Sequence, residues 1–310
     1  MARKRKKKKT PFKTRGAKTI RYRLLFSLIW LVRAVPRQWG IAVGRKLALL
    51  YYRIGRKQRQ RTIENLKTAF EGEKSPEEIH AIAKNVFLHF GTASIDAIRI
   101  PLYVEKGFDA IVTPKNFHYA KSILDSGKGA IFLTAHLGNW ELMGAWLASK
   151  GYPIAVVATP VSDPRLDRLI VDTRNQAGYM NIARGKSPKE ILRAIQKGCS
   201  LGFLIDQDTD VKGVFVDFFG KKAHTAIGPV LLAARYEIPL IPAFMYMKPD
   251  MTYALEFFPP LQLEDTGNPD RDMITNIQKC SDIYEAVIRR YPEQWAWMHR
   301  RWRNQPGGRL

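Results

Sequence analysis

Short apolar runs alternate with amphipathic stretches along the chain from residue 127 onwards. Apolar runs of about 4–8 residues are typical of buried strands, and longer stretches with apolar side chains every three to four positions are typical of helices. The pattern predicts strands at residues 130–134, 154–158, 180–183, 201–205 and 240–245, and an edge strand at 253–258. It predicts helices at residues 139–150, 163–177, 187–197, 225–236, 270–290 and 293–303. The alternation indicates an α/β fold with a mostly parallel central sheet flanked by helices, in which chemistry collects at the carboxyl ends of the strands.

A long helix is predicted ahead of this region, at residues 75–99. Ser75 can cap its N-terminus, Pro76 suits its first turn, and Glu78 completes a capping box. Apolar residues then recur on one helical face.

Two interrupted apolar stretches lie near the N-terminus, at residues 24–32 and 39–52. The first is too short to span a bilayer, which needs about 20 apolar residues. Aromatic and aliphatic faces next to basic residues favour a helical segment that lies in the membrane interface. A cleaved signal peptide and a short spanning helix over about 21–52 are the alternatives, and both are less favoured because arginines interrupt the apolar runs.

The positive charge of the chain is concentrated in the same segment. The chain has 51 Lys and Arg against 28 Asp and Glu, a net charge of +23, and residues 1–63 hold 21 of the basic residues and no acidic one. Such a tail can be solvated and without a partner, can bind nucleic acid, or can lie against anionic lipid. The apolar stretches that follow favour an anionic membrane surface as the partner of residues 1–63, and no nucleic acid. Two cysteines, Cys199 and Cys280, indicate no disulfide framework and fit a reducing compartment.

The candidate chemistry lies directly after the first predicted strand, in residues 136–141. His136 leaves the strand end, Asn139 can cap the next helix, and Glu141 falls in that helix's first turn. A carboxylate that fixes one ring nitrogen of a histidine leaves the other free as a base, and no protein nucleophile is evident. From spacing alone, a structural histidine beside a good N-terminal helix residue is the favoured interpretation.

Further stretches of the sequence make the comparison with a known family specific. The chain resembles the lipid A late acyltransferases (lauroyl and myristoyl transferases) of Gram-negative bacteria, within the lysophospholipid and glycerophosphate acyltransferase superfamily, whose His-x4-Asp/Glu signature matches His136 and Glu141. The resemblance covers nearly all of residues 20–305. It is carried by residues 64–66 with 69–70, 164–174, 206–208, 213–220 and 292–302.

The resemblance implies an O-acyltransferase that moves a fatty acyl group from an acyl carrier protein thioester to a membrane glycolipid hydroxyl, most simply on a lipid A precursor. It implies His136 as general base, Glu141 as its orienting carboxylate and Arg174 as a stabiliser of charge near the thioester oxygen. Asp206 is expected beside the acceptor. Asn139, Arg300 and Arg301 are the further substrate-binding candidates.

The expected organisation is a basic disordered tail at 1–23, a membrane-attachment segment at 24–63 and an acyltransferase domain at 64–310. We expect it on the cytoplasmic face of the inner membrane. No cofactor is implied, and no metal, because the Asp-rich stretch from Asp206 lacks the turn glycine of a calcium loop.

Several alternatives remain open at this point. The acceptor can be a lysophospholipid or another glycolipid, since residues 158–160 read Ala-Thr-Pro where the family often has an aromatic residue, Arg and Pro. Asp206, Gln207 and Asp208 also match the Asp-x-Asp pattern of metal-dependent glycosyltransferases. A nucleic-acid-binding protein is the non-enzymatic alternative, and a serine hydrolase lacks its Gly-x-Ser-x-Gly turn.

Overall fold

The computed structural model describes residue 23 and residues 25–161, 163–183 and 188–307, so most of the predicted basic tail lies outside the described residues. The first described helix, α1, covers residues 25–34. The other helices are α2 (Arg37–Ile54), α3 (Arg56–Ala69), α4 (Pro76–Ile98), α5 (Ile100–Lys106), α6 (His118–Asp125), α7 (Trp140–Ser149), α8 (Pro164–Gln176), α9 (Pro188–Gln196), α10 (Gly228–Tyr236) and α11 (Pro269–Arg290), followed by a 3₁₀ turn at Pro292–Gln294. The strands are β1 (Val112–Lys115), β2 (Ile131–Thr134), β3 (Ile154–Ala158), β4 (Met180–Ala183), β5 (Ser200–Leu204), β6 (Gly213–Phe218), β7 (Lys221–Ala226), β8 (Leu240–Met247) and β9 (Tyr253–Phe257).

The described strands form a seven-stranded sheet and a separate hairpin. The sheet order is β1-β9-β8-β2-β5-β3-β4, and β6 pairs with β7. All neighbours in the sheet are parallel except β8 and β9. Helices cover both faces, over two large apolar clusters. The predicted α/β class with a mostly parallel sheet is therefore confirmed, and most predicted elements lie within one or two residues of the observed ones.

Three predictions of secondary structure are wrong. The strand at 253–257 is internal, because β1 pairs with its outer side. The helix predicted from residue 225 begins at Gly228, because the preceding residues form β7, whose sequence Lys-Lys-Ala-His-Thr-Ala has no strand-like apolar run. The helix predicted at 293–303 is absent beyond one 3₁₀ turn. Trp295 and Trp297 are both buried at a spacing of two, which is the period of an extended chain.

The N-terminal helices pack tightly on the body of the protein. Gly44 of α2 and Gly91 of α4 face each other so closely that a Cβ on Gly44 would lie 2.7 Å from the Gly91 carbonyl oxygen.

The capping box predicted at Ser75 forms, with Glu78 as its carboxylate. The predicted boundary at residue 63 falls inside α3, and the division into domains stays a prediction. No helix in the part of the chain that the structure describes is both long and apolar enough to cross a bilayer.

A tight turn at Gly138 joins β2 to α7. The φ angle of Gly138 is +62°, and a Cβ there would lie 1.7 Å from the Met245 carbonyl oxygen. That oxygen accepts a hydrogen bond from the Asn139 amide at 3.1 Å. On the other side, the Gly138 amide donates to Gln294 and the His136 carbonyl accepts from Ala296. The turn is thus fixed between the end of β8 and the C-terminal segment, and only glycine fits it.

We expect Gly138→Ala to destabilise the protein strongly, since it adds both backbone strain and a collision with Met245. The expected loss is about 3 kcal/mol or more in the free energy of unfolding, measured by urea denaturation. Gly151→Ala is the matched control, because Gly151 also has a positive φ (+86°) but a Cβ there would meet nothing within 4 Å. Its loss in the free energy of unfolding should be about 1 kcal/mol. Equal losses in the two variants would show that the close approach to Met245 has no energetic role.

Candidate active site

His136 and Asp206 form a hydrogen-bonded pair at the carboxyl ends of neighbouring strands β2 and β5. The ring Nδ1 of His136 lies 2.9 Å from Oδ1 of Asp206, and the His136 backbone amide donates to Oδ2 at 2.8 Å. The Trp295 indole donates to the same Oδ2 at 2.7 Å. Asp206 is fully buried, whereas the His136 side chain is 26% exposed. The carboxylate therefore holds the histidine by its backbone and its ring at once.

The surroundings of Asp206 favour its ionised form. Burial alone raises the pKa of this carboxyl, but the charge of His136 and the hydrogen bonds from His136 and Trp295 outweigh it and hold the pKa below its ordinary value. A carboxylate that accepts from Nδ1–H fixes the ring tautomer. Nε2 is then the nitrogen with a lone pair that can take a proton from a substrate hydroxyl.

The prediction that Glu141 is the carboxylate that orients His136 is wrong. Glu141 is engaged by Arg174, whose Nε donates to Oε2 at 3.0 Å, and by the Tyr179 hydroxyl at 2.8 Å. Asp206 orients the ring in its place. Asp206, which was expected beside the acceptor, has a fully buried side chain bonded to His136, and its role in acceptor binding stays a prediction. Asp206 takes the place of Glu141 because β2 and β5 pair in parallel, which brings the ends of the two strands together.

Glu141 and Arg174 form a second charged pair near the histidine. Burial raises the pKa of Glu141, but the hydrogen bond and charge of Arg174, with hydrogen bonds from Tyr179 and Trp140, lower it overall. Burial likewise opposes the charge of Arg174, and Glu141 raises the pKa of the guanidinium overall. Arg174 also bonds the side-chain oxygen of Asn181 on β4. The pair ties α7 to α8 and β4 with both groups ionised.

A cavity of about 310 Å³ begins at these residues and extends between α7 and the sheet. His136, Glu141 and Arg174 contribute polar groups to its lining, together with Gln207 and Thr209. The rest of the lining is mostly apolar, and includes Phe132, Met143, Leu147, Ile154 and Val156. Because α7 runs away from the strand ends, Leu147 and Ile154 lie at the far end of the cavity from His136. The cavity is therefore polar at the histidine and apolar beyond it, and its volume is in the usual range for small-molecule sites.

The other sequence candidates are placed differently. Asn139 is 3% exposed, accepts from the Leu142 amide as the cap of α7, and donates to the Ala93 carbonyl, so its bonds are internal. Arg301 is 1% exposed and donates to the His224 carbonyl and the Thr225 hydroxyl. Burial lowers the pKa of Arg301 to about 10, against the raising charges of Asp206 and Asp208.

The side chains of Asn139 and Arg301 are therefore both buried and bonded within the protein, which does not favour contact with a substrate, and their binding role stays a prediction. Arg300 is exposed, and its binding role stays a prediction.

The Asp-x-Asp stretch is occupied by the protein's own groups. Asp206 bonds His136 and Trp295, and Asp208 accepts from the amide and side chain of Asn304 at 2.7 Å each. Both carboxylates are buried. This geometry does not favour a nucleotide-sugar site at the stretch.

Two contributors to the site were missed from the sequence. Trp295 bonds Asp206 from a segment predicted to be helical, and its place in a stretch shared with the family was the signal available. Tyr179 bonds Glu141 from the turn before β4, and nothing in its local sequence marks it.

The Glu141–Arg174 pair predicts coupled stability effects. Glu141→Gln and Arg174→Gln should each lower the free energy of unfolding, since each leaves a partly buried group without its partner. The double variant should cost less than the two single losses added, with a coupling of about 0.5–3 kcal/mol in a urea double-mutant cycle. Lys121 and Asp125, an exposed ion pair on α6, provide the control cycle, where the coupling should be below about 0.5 kcal/mol. Additive losses at Glu141 and Arg174 would contradict the pairing.

Comparison with known proteins gives relatives of two kinds. A phosphatidylinositol mannoside acyltransferase of Mycolicibacterium smegmatis is 30% identical over 185 residues, which are 58% of this chain and 59% of that protein. The match thus spans less than two thirds of that relative. A lipid A biosynthesis lauroyltransferase of Escherichia coli is 24% identical over 284 residues, 91% of this chain and 90% of that protein.

A lipid A biosynthesis palmitoleoyltransferase of Escherichia coli is 23% identical over 287 residues, 91% of this chain and 90% of that protein. Residues 9–304 match the family described as "Bacterial lipid A biosynthesis acyltransferase", and the chain belongs to that family.

Proposed function

We propose that the protein transfers a fatty acyl group from an acyl carrier protein thioester to a hydroxyl of a membrane glycolipid. The observation that carries this proposal is the His136–Asp206 pair at the polar end of an apolar cavity. A hydrocarbon chain in that cavity would bring its thioester carbonyl close to His136. The buried Asp206 keeps the ring in the tautomer that accepts a proton.

The reaction needs one base and no covalent enzyme intermediate. Nε2 of His136 takes the proton of the acceptor hydroxyl as its oxygen attacks the thioester carbonyl carbon. The oxyanion of the tetrahedral intermediate forms in the field of Arg174, whose guanidinium Glu141 and Asn181 hold in place. When the C–S bond breaks, the thiolate takes the proton from the imidazolium. The products are an ester on the acceptor and a free carrier thiol.

The acceptor is proposed from the relatives. We select a lipid A precursor, because the lipid A acyltransferases match 91% of this chain, and retain a phosphatidylinositol mannoside as the second candidate, because of the 30% identity over part of it. An acidic carrier protein as donor is supported by Arg300, which is exposed on the segment that crosses the strand ends.

The assay of acyl transfer tests the proposal directly. We expect acyl transfer from acyl carrier protein to a lipid A precursor, measured by mass spectrometry of the product. His136→Ala and Asp206→Asn should each lower kcat by about 10²–10⁴-fold. The first removes the base, and the second removes the carboxylate that fixes the tautomer of the base. His80→Ala, at an exposed histidine on α4, is the control and should retain full activity. Near-normal turnover of a folded His136→Ala variant would overturn the mechanism, and transfer only to the mannoside would correct the acceptor.

Membrane attachment is proposed from an apolar stripe on α2. Trp39, Val43, Leu47, Leu50 and Ile54 recur at three- to four-residue spacing, and each is 44–68% exposed. A neighbouring face of α2 carries Gly40 and Gly44 and packs on α4. Basic residues border the stripe, as in helices that lie in an anionic interface. We therefore propose that α2 lies in the cytoplasmic surface of the inner membrane, with residues 1–22 adding attraction to anionic lipid.

Substitution of this stripe should weaken vesicle binding. The double variant Trp39→Gln/Leu47→Gln should reduce partition onto phosphatidylglycerol-containing vesicles by 10-fold or more, since about 1.5–3 kcal/mol is associated with burying each large apolar side chain. Ile274→Gln on α11 is the matched control, because Ile274 and Leu47 are both 48% exposed. Sedimentation at 0.15 M and 1 M NaCl should show that salt weakens binding by the variant more than binding by the parent protein. Unchanged partition of the double variant would place the attachment elsewhere.

A further inference from the structure

A second, open groove reaches the candidate active site from the side of the N-terminal helices. Its volume is about 290 Å³, and it lies between α1 and α8. Its lining is mostly aliphatic and is formed by Ile29, Arg33, Ala97, Ile98, Ile100, Trp140, Glu141, Leu169, Ile170 and Thr173. This groove differs from the cavity between α7 and the sheet in every lining residue except Trp140 and Glu141. The two spaces therefore meet at the start of α7, where the Trp140 ring lies 5.1 Å from the ring of His136.

Among the residues that the structure describes, none completes the packing of the apolar face of α8. Leu166, Leu169 and Ile170 follow one another at helical spacing, yet α8 contains no buried residue. An amphipathic helix normally stabilises a fold by burying such a face. Here the face borders the groove, and covering it with hydrocarbon would remove apolar surface from water at about 25 cal/mol per Å².

The outer end of the groove is continuous with the surface proposed to contact lipid. Ile29 and Arg33 of α1 line the groove, while Trp30 of the same helix is 71% exposed. Arg33 donates from Nε to the Ile98 carbonyl at 2.8 Å, which fixes a positive charge at the groove wall. A chain entering from an anionic membrane surface would meet both an apolar path and a cation suited to a negatively charged head group.

We infer that the α1/α8 groove binds a hydrocarbon chain already carried by the acceptor lipid, and that the cavity behind His136 is left to the acyl chain being transferred. This inference rests on the proposed function and adds the acceptor's binding site. The donor chain is assigned to the inner cavity because a carrier protein delivers it from solution. The acceptor chain is assigned to the groove because the groove is continuous with the lipid-facing helices. The two chains thus approach His136 from opposite sides of Trp140.

The test separates recognition of the acceptor's chain from chemistry. Leu169→Trp and Ile170→Trp each fill the groove, and Ile170→Asn makes it polar with little added bulk. Gln176→Trp is the matched control, because Gln176 is an exposed neutral residue of α8 outside the groove lining. Each full-length variant is assayed with an acyl carrier protein thioester and two acceptors, a lipid A precursor with its chains and the same head group with its chains removed.

We expect the groove variants to raise KM for the acylated acceptor by about 10-fold or more, with kcat little changed. KM for the chain-free head group, and hydrolysis of the thioester by water, should stay as in the parent protein. Gln176→Trp should leave all of these constants unchanged. An unchanged KM for the acylated acceptor, or equal losses on both acceptors, would overturn the groove assignment while the proposed function stands. Absence of transfer by the parent protein to either acceptor would overturn the proposed function, and the groove assignment with it.

Discussion

The buried carboxylate of Asp206 is the constraint on which the site depends. It accepts from the amide and ring of His136 and from the indole of Trp295, and so joins the ends of β2 and β5 to the C-terminal segment. A buried charge is costly unless it is fully hydrogen-bonded, and these donors supply that compensation. The same bonds that stabilise the charge fix the histidine tautomer. The stability of this edge of the sheet and the fixed orientation of the His136 ring therefore have one physical origin.

A second charged pair organises the approach to the histidine. Glu141 and Arg174 are held together from α7 and α8, with Tyr179 and Asn181 as further partners. Arginine presents a planar, bidentate fork, which suits it to span two elements and still carry positive charge. Arg174 therefore presents a fixed positive charge at the polar end of the cavity, where the proposed mechanism places the oxyanion.

Two apolar spaces meet beside His136, as the proposed transfer from an acyl thioester to an acylated acceptor requires. One space lies between α7 and the sheet, and the other lies between α1 and α8. Trp140 stands between them beside His136. The stripe on α2 continues the apolar surface outwards, on a helix whose other face is fixed to α4 by the contact of Gly44 with Gly91. Close glycine packing anchors the helix on the protein and leaves its large apolar side chains exposed.

Local patterns in the sequence were sufficient for the α/β class, most element bounds and the position of His136 at a strand end. Period-2 and period-3.6 patterns are properties of neighbouring residues, so they can be read without tertiary structure. The partner of His136 could not be read in this way, because Asp206 lies 70 residues away and reaches it only through the parallel pairing of β2 with β5. Spacing favoured the nearby Glu141, which tertiary packing gives to Arg174. Trp295 was likewise misassigned to a helix, because the hydrogen bonds that hold its segment extended come from the distant His136 turn.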